Sequence, residues 1–178
     1  MKTIYFGDSI TAGFQQLDQH HDVINLGVSG DKINNLIGRV EEVISYKPDQ
    51  LVIMIGVNDY LNMKNYWGSP IKLNIKYMYG VLIKLLHDNL PNCKIVCLSI
   101  LPVSMDIEPN ILREFNLDII KLNSYIKTIA ATYLYEYLDI HQYFIDSDGK
   151  LDAHYTTDGV HLSDEGYKHY YSFIRKYF

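Results

Sequence analysis

The sequence predicts a three-layer α/β/α sandwich built on a parallel sheet. Three observations carry that prediction. Apolar runs of strand length alternate along the chain with stretches of helical periodicity. The middle runs, Leu51 to Ile55 and Lys94 to Ile100, are almost continuously apolar, as strands covered on both faces are. No repeat, low-complexity stretch or Pro/Gly/Ser linker divides the 178 residues, which suit one domain spanning 1–178.

Each element has its own signal. Thr3 to Phe6, Val23 to Leu26, Leu51 to Ile55, Lys94 to Ile100 and Tyr135 to Asp139 read as strands. Ile10 to His21 reads as a short helix. Ile33, Leu36, Ile37, Val40 and Ile44 form one face of a second helix. Ile71, Ile75, Met78, Leu82 and Leu85 form a third, with Ser69 as N-cap and Pro70 at the first helical position. Ile119, Leu122, Ile126, Ile129 and Tyr133 form a fourth. Tyr167, Tyr170, Tyr171, Ile174 and Phe178 form the last, after the cap-like Ser163-Asp164-Glu165. Strand–helix alternation of this kind uses right-handed crossovers, and the ligand crevice lies beyond the carboxyl ends of the strands.

Composition excludes several classes. The net charge is −5 and no Lys/Arg run exceeds two residues, so no nucleic-acid partner is expected. A membrane span needs roughly 20 apolar residues, and no run approaches that. The first eight residues reach a glycine and then an aspartate before a signal-peptide core can form. The chain therefore reads as cytoplasmic, or as one from which a signal has been removed. Cys93 and Cys97 sit on one strand roughly 13 Å apart, too far for a disulfide, and read as small apolar side chains.

Small and polar residues come after four of the strands: Gly7-Asp8-Ser9-Ile10-Thr11, Gly27-Val28-Ser29-Gly30-Asp31, Gly56-Val57-Asn58-Asp59 and, after a loop, Asp158-Gly159-Val160-His161. Turn chemistry accounts for Gly, Asn, Asp and Ser here. It does not call for a Ser, an Asn and an Asp-x-x-His together. Ser9, just past a strand and opening a helix, suits a nucleophile; the plainer reading is a helix N-cap. His161 suits a base held by Asp158; the plainer reading is a turn with a solvated histidine. Gly27 or Gly30 can offer a backbone N–H at close range, and Asn58 a side-chain amide, to a developing oxyanion. Asp8 and Asp59 flank these groups and read as braces for the loops.

Together the four blocks resemble those of the GDSL family, the SGNH hydrolases, in family order over residues 7 to 161. The resemblance implies a flavodoxin-like fold with a five-stranded parallel sheet in the order 2-1-3-4-5. It implies Ser9 as nucleophile, His161 as base and Asp158 as its partner, with an oxyanion hole from Ser9, Gly30 and Asn58. It implies a small-molecule ester or thioester as substrate and no metal or organic cofactor. The family spans lipases, thioesterases, lysophospholipases and carbohydrate deacetylases, so the substrate does not carry over.

Tyr60, Tyr66 and Trp67, in the loop after Asn58, are candidates for an acyl-pocket wall. The stretch Ser104 to Asn116 reads as a second crevice loop. Charges in both loops argue for short acyl groups, acetyl to about hexanoyl, rather than a long greasy tunnel. His20, His21, His87, His141 and His169 match no block and read as surface or packing residues. Two other readings stay open: a metal-dependent phosphoesterase built on Asp152, His154, Asp158 and His161, and a non-catalytic ligand-binding domain.

Overall fold

The computed structural model describes residues 1–16, 20–61, 71–107 and 109–177. Strands β1 (Thr3–Gly7), β2 (Val23–Gly27), β3 (Gln50–Met54), β4 (Lys94–Leu98) and β5 (Glu136–Leu138) form one parallel sheet in the order β2-β1-β3-β4-β5. The register sets Gly7 beside both Gly27 and Met54, so the loops after β1, β2 and β3 leave from one edge. The chain winds to β2 on one side of β1 and to β3 on the other. The end of β1 is therefore the switch point, where a parallel sheet opens a crevice.

Alternate strand residues feed opposite layers. Ile4, Phe6, Leu51, Ile53, Ile95 and Cys97 pack with helices α2 (Ile33–Gly38), α3 (Val40–Tyr46), α5 (Ile71–Asn89) and α6 (Pro109–Thr132). Tyr5, Val52, Met54, Val96 and Leu98 pack on the other face with Ile10 of helix α1 (Ser9–Ala12), Phe14, Phe144 and helix α7 (Asp164–Ile174). One further helix, α4 (Val57–Leu61), comes after β3. Among the described residues, no helix is long and apolar enough to cross a membrane.

Four expectations are corrected. The Ile33–Ile44 periodicity runs through two helices, broken at Arg39 (φ −110°, ψ 9°). Gly38, a poor helix former, ends the first. Of the described residues in the Ile10–His21 stretch, only Ile10–Ala12 are α-helical, in a helix that starts at Ser9 and is capped at Gly13. On α5 the buried face is Ile75, Tyr79, Leu82, Ile83 and Leu86, with Met78 and Leu85 only partly buried at its margin. The Ser104–Asn116 loop is half helix: α6 starts at Pro109, and Leu112, Phe115 and Asn116 are already buried. Proline is suited to a first helical turn, and the spacing of Leu112, Phe115 and Ile119 continues the apolar face. The proposed cap residues Ser69 and Pro70 lie outside the described residues.

Candidate active site

The chain leaves β1 through Gly7, where a Cβ would stand 2.4 Å from both Met54 O and Thr11 Oγ1. Only glycine allows that approach. The cap of α1 is Asp8, not Ser9: the buried Asp8 carboxylate accepts the Ile10 N–H at 3.0 Å. Ser9 keeps its hydroxyl, and its Oγ lies 3.1 Å from His161 Nε2. As a first-turn residue its N–H has no helical acceptor, and among the described residues no other backbone carbonyl takes it.

Asp158 faces the other side of the same ring, with Oδ2 2.6 Å from His161 Nδ1. Its Oδ1 accepts the N–H groups of Val160 (2.9 Å) and His161 (2.8 Å). Desolvation pulls this carboxyl upward, but the His161 ring and the two N–H donors outweigh it and hold it at about 2. An ionised carboxylate at Nδ1 keeps the proton on that nitrogen and turns the Nε2 lone pair toward Ser9. The loop carrying the pair is itself pinned. Thr156 Oγ1 donates to His161 O at 2.7 Å and accepts from Gly159 N at 2.9 Å. Ser104 N donates to Gly159 O at 2.8 Å. Gly159 (φ +86°) sits so close to that strap that a Cβ would lie 2.7 Å from Met105 N.

Of the two glycines that could donate, Gly27 is spent. Its N–H donates to Asn25 Oδ1 at 2.9 Å, and a Cβ there would meet Ala12 N at 2.2 Å. Gly30, at φ +83°, opens to solvent, and its N–H has no backbone acceptor among the described residues. Asn58 is 8 % exposed and donates from Nδ2 to Asp31 O at 2.9 Å, which fixes the plane of its amide beside the Gly30 turn. Asp59 Oδ2 accepts the Ile33 N–H at 3.1 Å, tying the third block to the start of α2. Both bracing aspartates are driven up by burial, Asp8 to about 7 and Asp59 to about 6.

The other candidates among the described residues do not converge on Ser9. Tyr60 is 4 % exposed, packed edge-on against Phe115 at 5.7 Å, with its hydroxyl on Asp118 O at 3.4 Å; the ring belongs to the core. Tyr66 and Trp67 lie outside the described residues. Asp152 caps a single turn, accepting His154 N at 2.8 Å, and Asp158 is committed to His161. Among the described residues no three His, Cys, Asp or Glu side chains gather as metal ligands do. His141 is a packing residue, its Nδ1 on Ile100 O at 2.8 Å, and His169 stacks on Tyr155.

Two features are not evident from sequence reading. A small, mostly apolar niche lies between the residues flanking Ser9 and the loop after β4, lined by Asp8, Ile10, Met54, Val57, Ile100 and Val160 among others. Its interior is about 10 Å³, room for about one water. The niche wall is held by two asparagines seven residues apart on α6. Asn123 pairs with both N and O of Ile100 (2.8 and 2.9 Å), and Asn116 with both of Val103 (2.9 and 2.9 Å). The only sequence signal is an asparagine recurring seven residues on among the apolar positions of one helix.

Known proteins share this outline. The model of the GDSL-like lipase/acylhydrolase family matches residues 5–169. The rat platelet-activating factor acetylhydrolase IB subunit alpha2 is 27 % identical over 173 residues, 92 % of this chain and 70 % of its own. A GDSL-like lipase from Bacteroides thetaiotaomicron superposes with a TM-score of 0.82 at 23 % identity, covering 99 % of this chain and 86 % of its own. An acetylxylan esterase from Geobacillus stearothermophilus does so at 0.71 and 21 %, covering 98 % and 93 %.

Proposed function

Because the chain belongs to the GDSL-like lipase/acylhydrolase family of ester hydrolases, we propose that it is a serine esterase working through an acyl-enzyme on Ser9. The observation that carries this reading is the run Asp158–His161–Ser9, with contacts of 2.6 and 3.1 Å, from one ionised carboxylate to one hydroxyl. His161 Nε2 takes the Ser9 proton as Oγ attacks the acyl carbon. Asp158 stabilises the imidazolium that forms. The N–H groups of Ser9 and Gly30 and the Asn58 amide receive the oxyanion. His161 returns the proton to the departing alcohol or thiol. Water, activated by the same imidazole, then releases the acid and restores Ser9.

The niche next to the Ser9 loop has room for only about one water, which favours short acyl groups over long chains. The activities for which the rat and Geobacillus relatives are named, both on acetyl groups, point the same way. The phosphoesterase alternative loses support because Asp158 and Asp152 are already committed to protein donors.

The test is turnover of p-nitrophenyl esters from acetyl to dodecanoyl by the parent and by Ser9→Ala. The variant should lose at least about 10³-fold in kcat, the hole leaving a residual rate. A variant that keeps most of the parent's activity overturns the assignment.

A further inference from the structure

We propose that Arg39 is a positioning residue for the oxyanion hole, acting through Asp31. The inference rests on Gly30 and Asn58 being the hole's donors. The helix break between α2 and α3 falls on Arg39, and the guanidinium turns inward from it. Its Nη2 donates to Asp31 Oδ2 at 2.7 Å and to Leu26 O at 3.1 Å. Nη1 reaches Glu42 Oε2 at 3.3 Å, and the plane lies over the Phe6 ring, 5.1 Å from its centroid. One rigid cation thus ties the last residues of β2 to the far side of the turn that presents Gly30.

Asp31 passes that restraint to both donors. It comes directly after Gly30, its N–H closes the turn on Val28 O at 3.1 Å, and its carbonyl holds Asn58 Nδ2 at 2.9 Å. Asp31 is only 8 % exposed. Without Arg39 its carboxylate is a nearly buried, unpaired charge, and such a charge moves toward water rather than stay. The turn moves with it, carrying the Gly30 N–H and the acceptor of Asn58. Lysine can copy the Asp31 and Leu26 contacts of Nη2 at one nitrogen, but it lacks the planar fork that adds Glu42 through Nη1 and lies over Phe6, so it holds the turn less firmly. Packing alone does not call for arginine here, because its Nε is buried with no hydrogen-bond acceptor among the described residues.

The experiment measures kcat and KM with p-nitrophenyl acetate for Arg39→Lys, Arg39→Met and Arg39→Met with Asp31→Asn, each also in an Asn58→Ala background, with near-UV circular dichroism on every variant. Arg39→Met should lower kcat by up to about 10²-fold with KM within about twofold, as small misplacements of catalytic groups do. Arg39→Lys should fall between the parent and Arg39→Met. Removing the stranded charge with Asp31→Asn should recover part of the loss. In the Asn58→Ala background the Arg39 substitution should cost less than in the parent, because the part of the loss that runs through Asn58 is already gone and only the Gly30 part remains. A folded Arg39→Met with the parent's kcat, or an equal loss in both backgrounds, overturns the proposal. If Arg39→Met does not fold, Arg39→Lys supplies the same comparison. If Asn58→Ala itself leaves kcat unchanged, the hole assignment fails and takes this inference with it.

Discussion

The Asp8 carboxylate accepts the Ile10 N–H at 3.0 Å and leaves the Ser9 hydroxyl, one residue on, to the His161 ring at 3.1 Å. Had Ser9 been the cap, its oxygen would be occupied by a backbone donor and turned from the crevice. The division of labour has a thermodynamic cost. Burial drives the Asp8 carboxyl from 3.8 up to about 7.

That cost should be visible in stability against pH. The folded state keeps a proton on Asp8 that the unfolded chain gives up above about pH 4, so stability is fully present below that pH and falls as pH rises toward about 7. Asp59, held at about 6 by burial, acts in the same direction. Asp8→Asn cannot ionise and keeps an oxygen for Ile10. Between pH 5 and pH 8 the parent should lose several degrees of Tm more than Asp8→Asn, since a shift of this size is worth a few kcal/mol. Equal slopes for the two proteins would show that Asp8 does not titrate in this range.

Asn58→Ala should reduce kcat for short esters by about 10²–10³, with little change in KM. The amide serves charge that appears only after attack, so ground-state binding is spared. Steady-state kinetics on p-nitrophenyl acetate decides it. A change confined to KM would place Asn58 in substrate binding instead.

Val160 lines the niche from the loop that also bears His161, and it is only partly buried, so trimming it costs little core packing. Val160→Ala should shift the best acyl chain one to two carbons longer while the acetyl rate falls by less than about tenfold. The profile of kcat/KM against chain length measures this. An unchanged profile, or a parent optimum at dodecanoyl, would move the acyl site elsewhere.

The sheet and the four blocks are legible in the sequence for a local reason. Continuous apolar runs such as Leu51 to Ile55 mark buried strands, and glycines at 7, 27 and 56 mark where they end. The topology of a parallel sheet then puts the residues just past each of those ends, Ser9 and Asn58 among them, at the crevice. The break at Arg39 is invisible because Ile33, Leu36, Val40 and Val43 keep helical phase across it, and periodicity reports phase rather than continuity. The start of α6 is hidden by Arg113 and Glu114, whose charges read as loop although they only face outward from a turn that buries Leu112 and Phe115. Ser9 and Asp8 are equally good caps on paper, and only the hydrogen bond to Ile10 separates them. Tyr60 lies two residues past Asn58, which on α4 turns it away from the crevice toward Phe115. Pairings as distant in sequence as Asn123 with Ile100 leave no local trace.

The central claim is that Ser9 is the nucleophile, and covalent labelling tests it most directly. The protein is treated with a fluorophosphonate, digested, and the adduct located by mass spectrometry. One phosphonyl group per chain on Ser9 is expected, forming at a rate that drops sharply in His161→Ala and is unchanged by a chelator. An esterase that remains active while Ser9 is unlabelled, or that carries its adduct on another residue, would contradict the assignment.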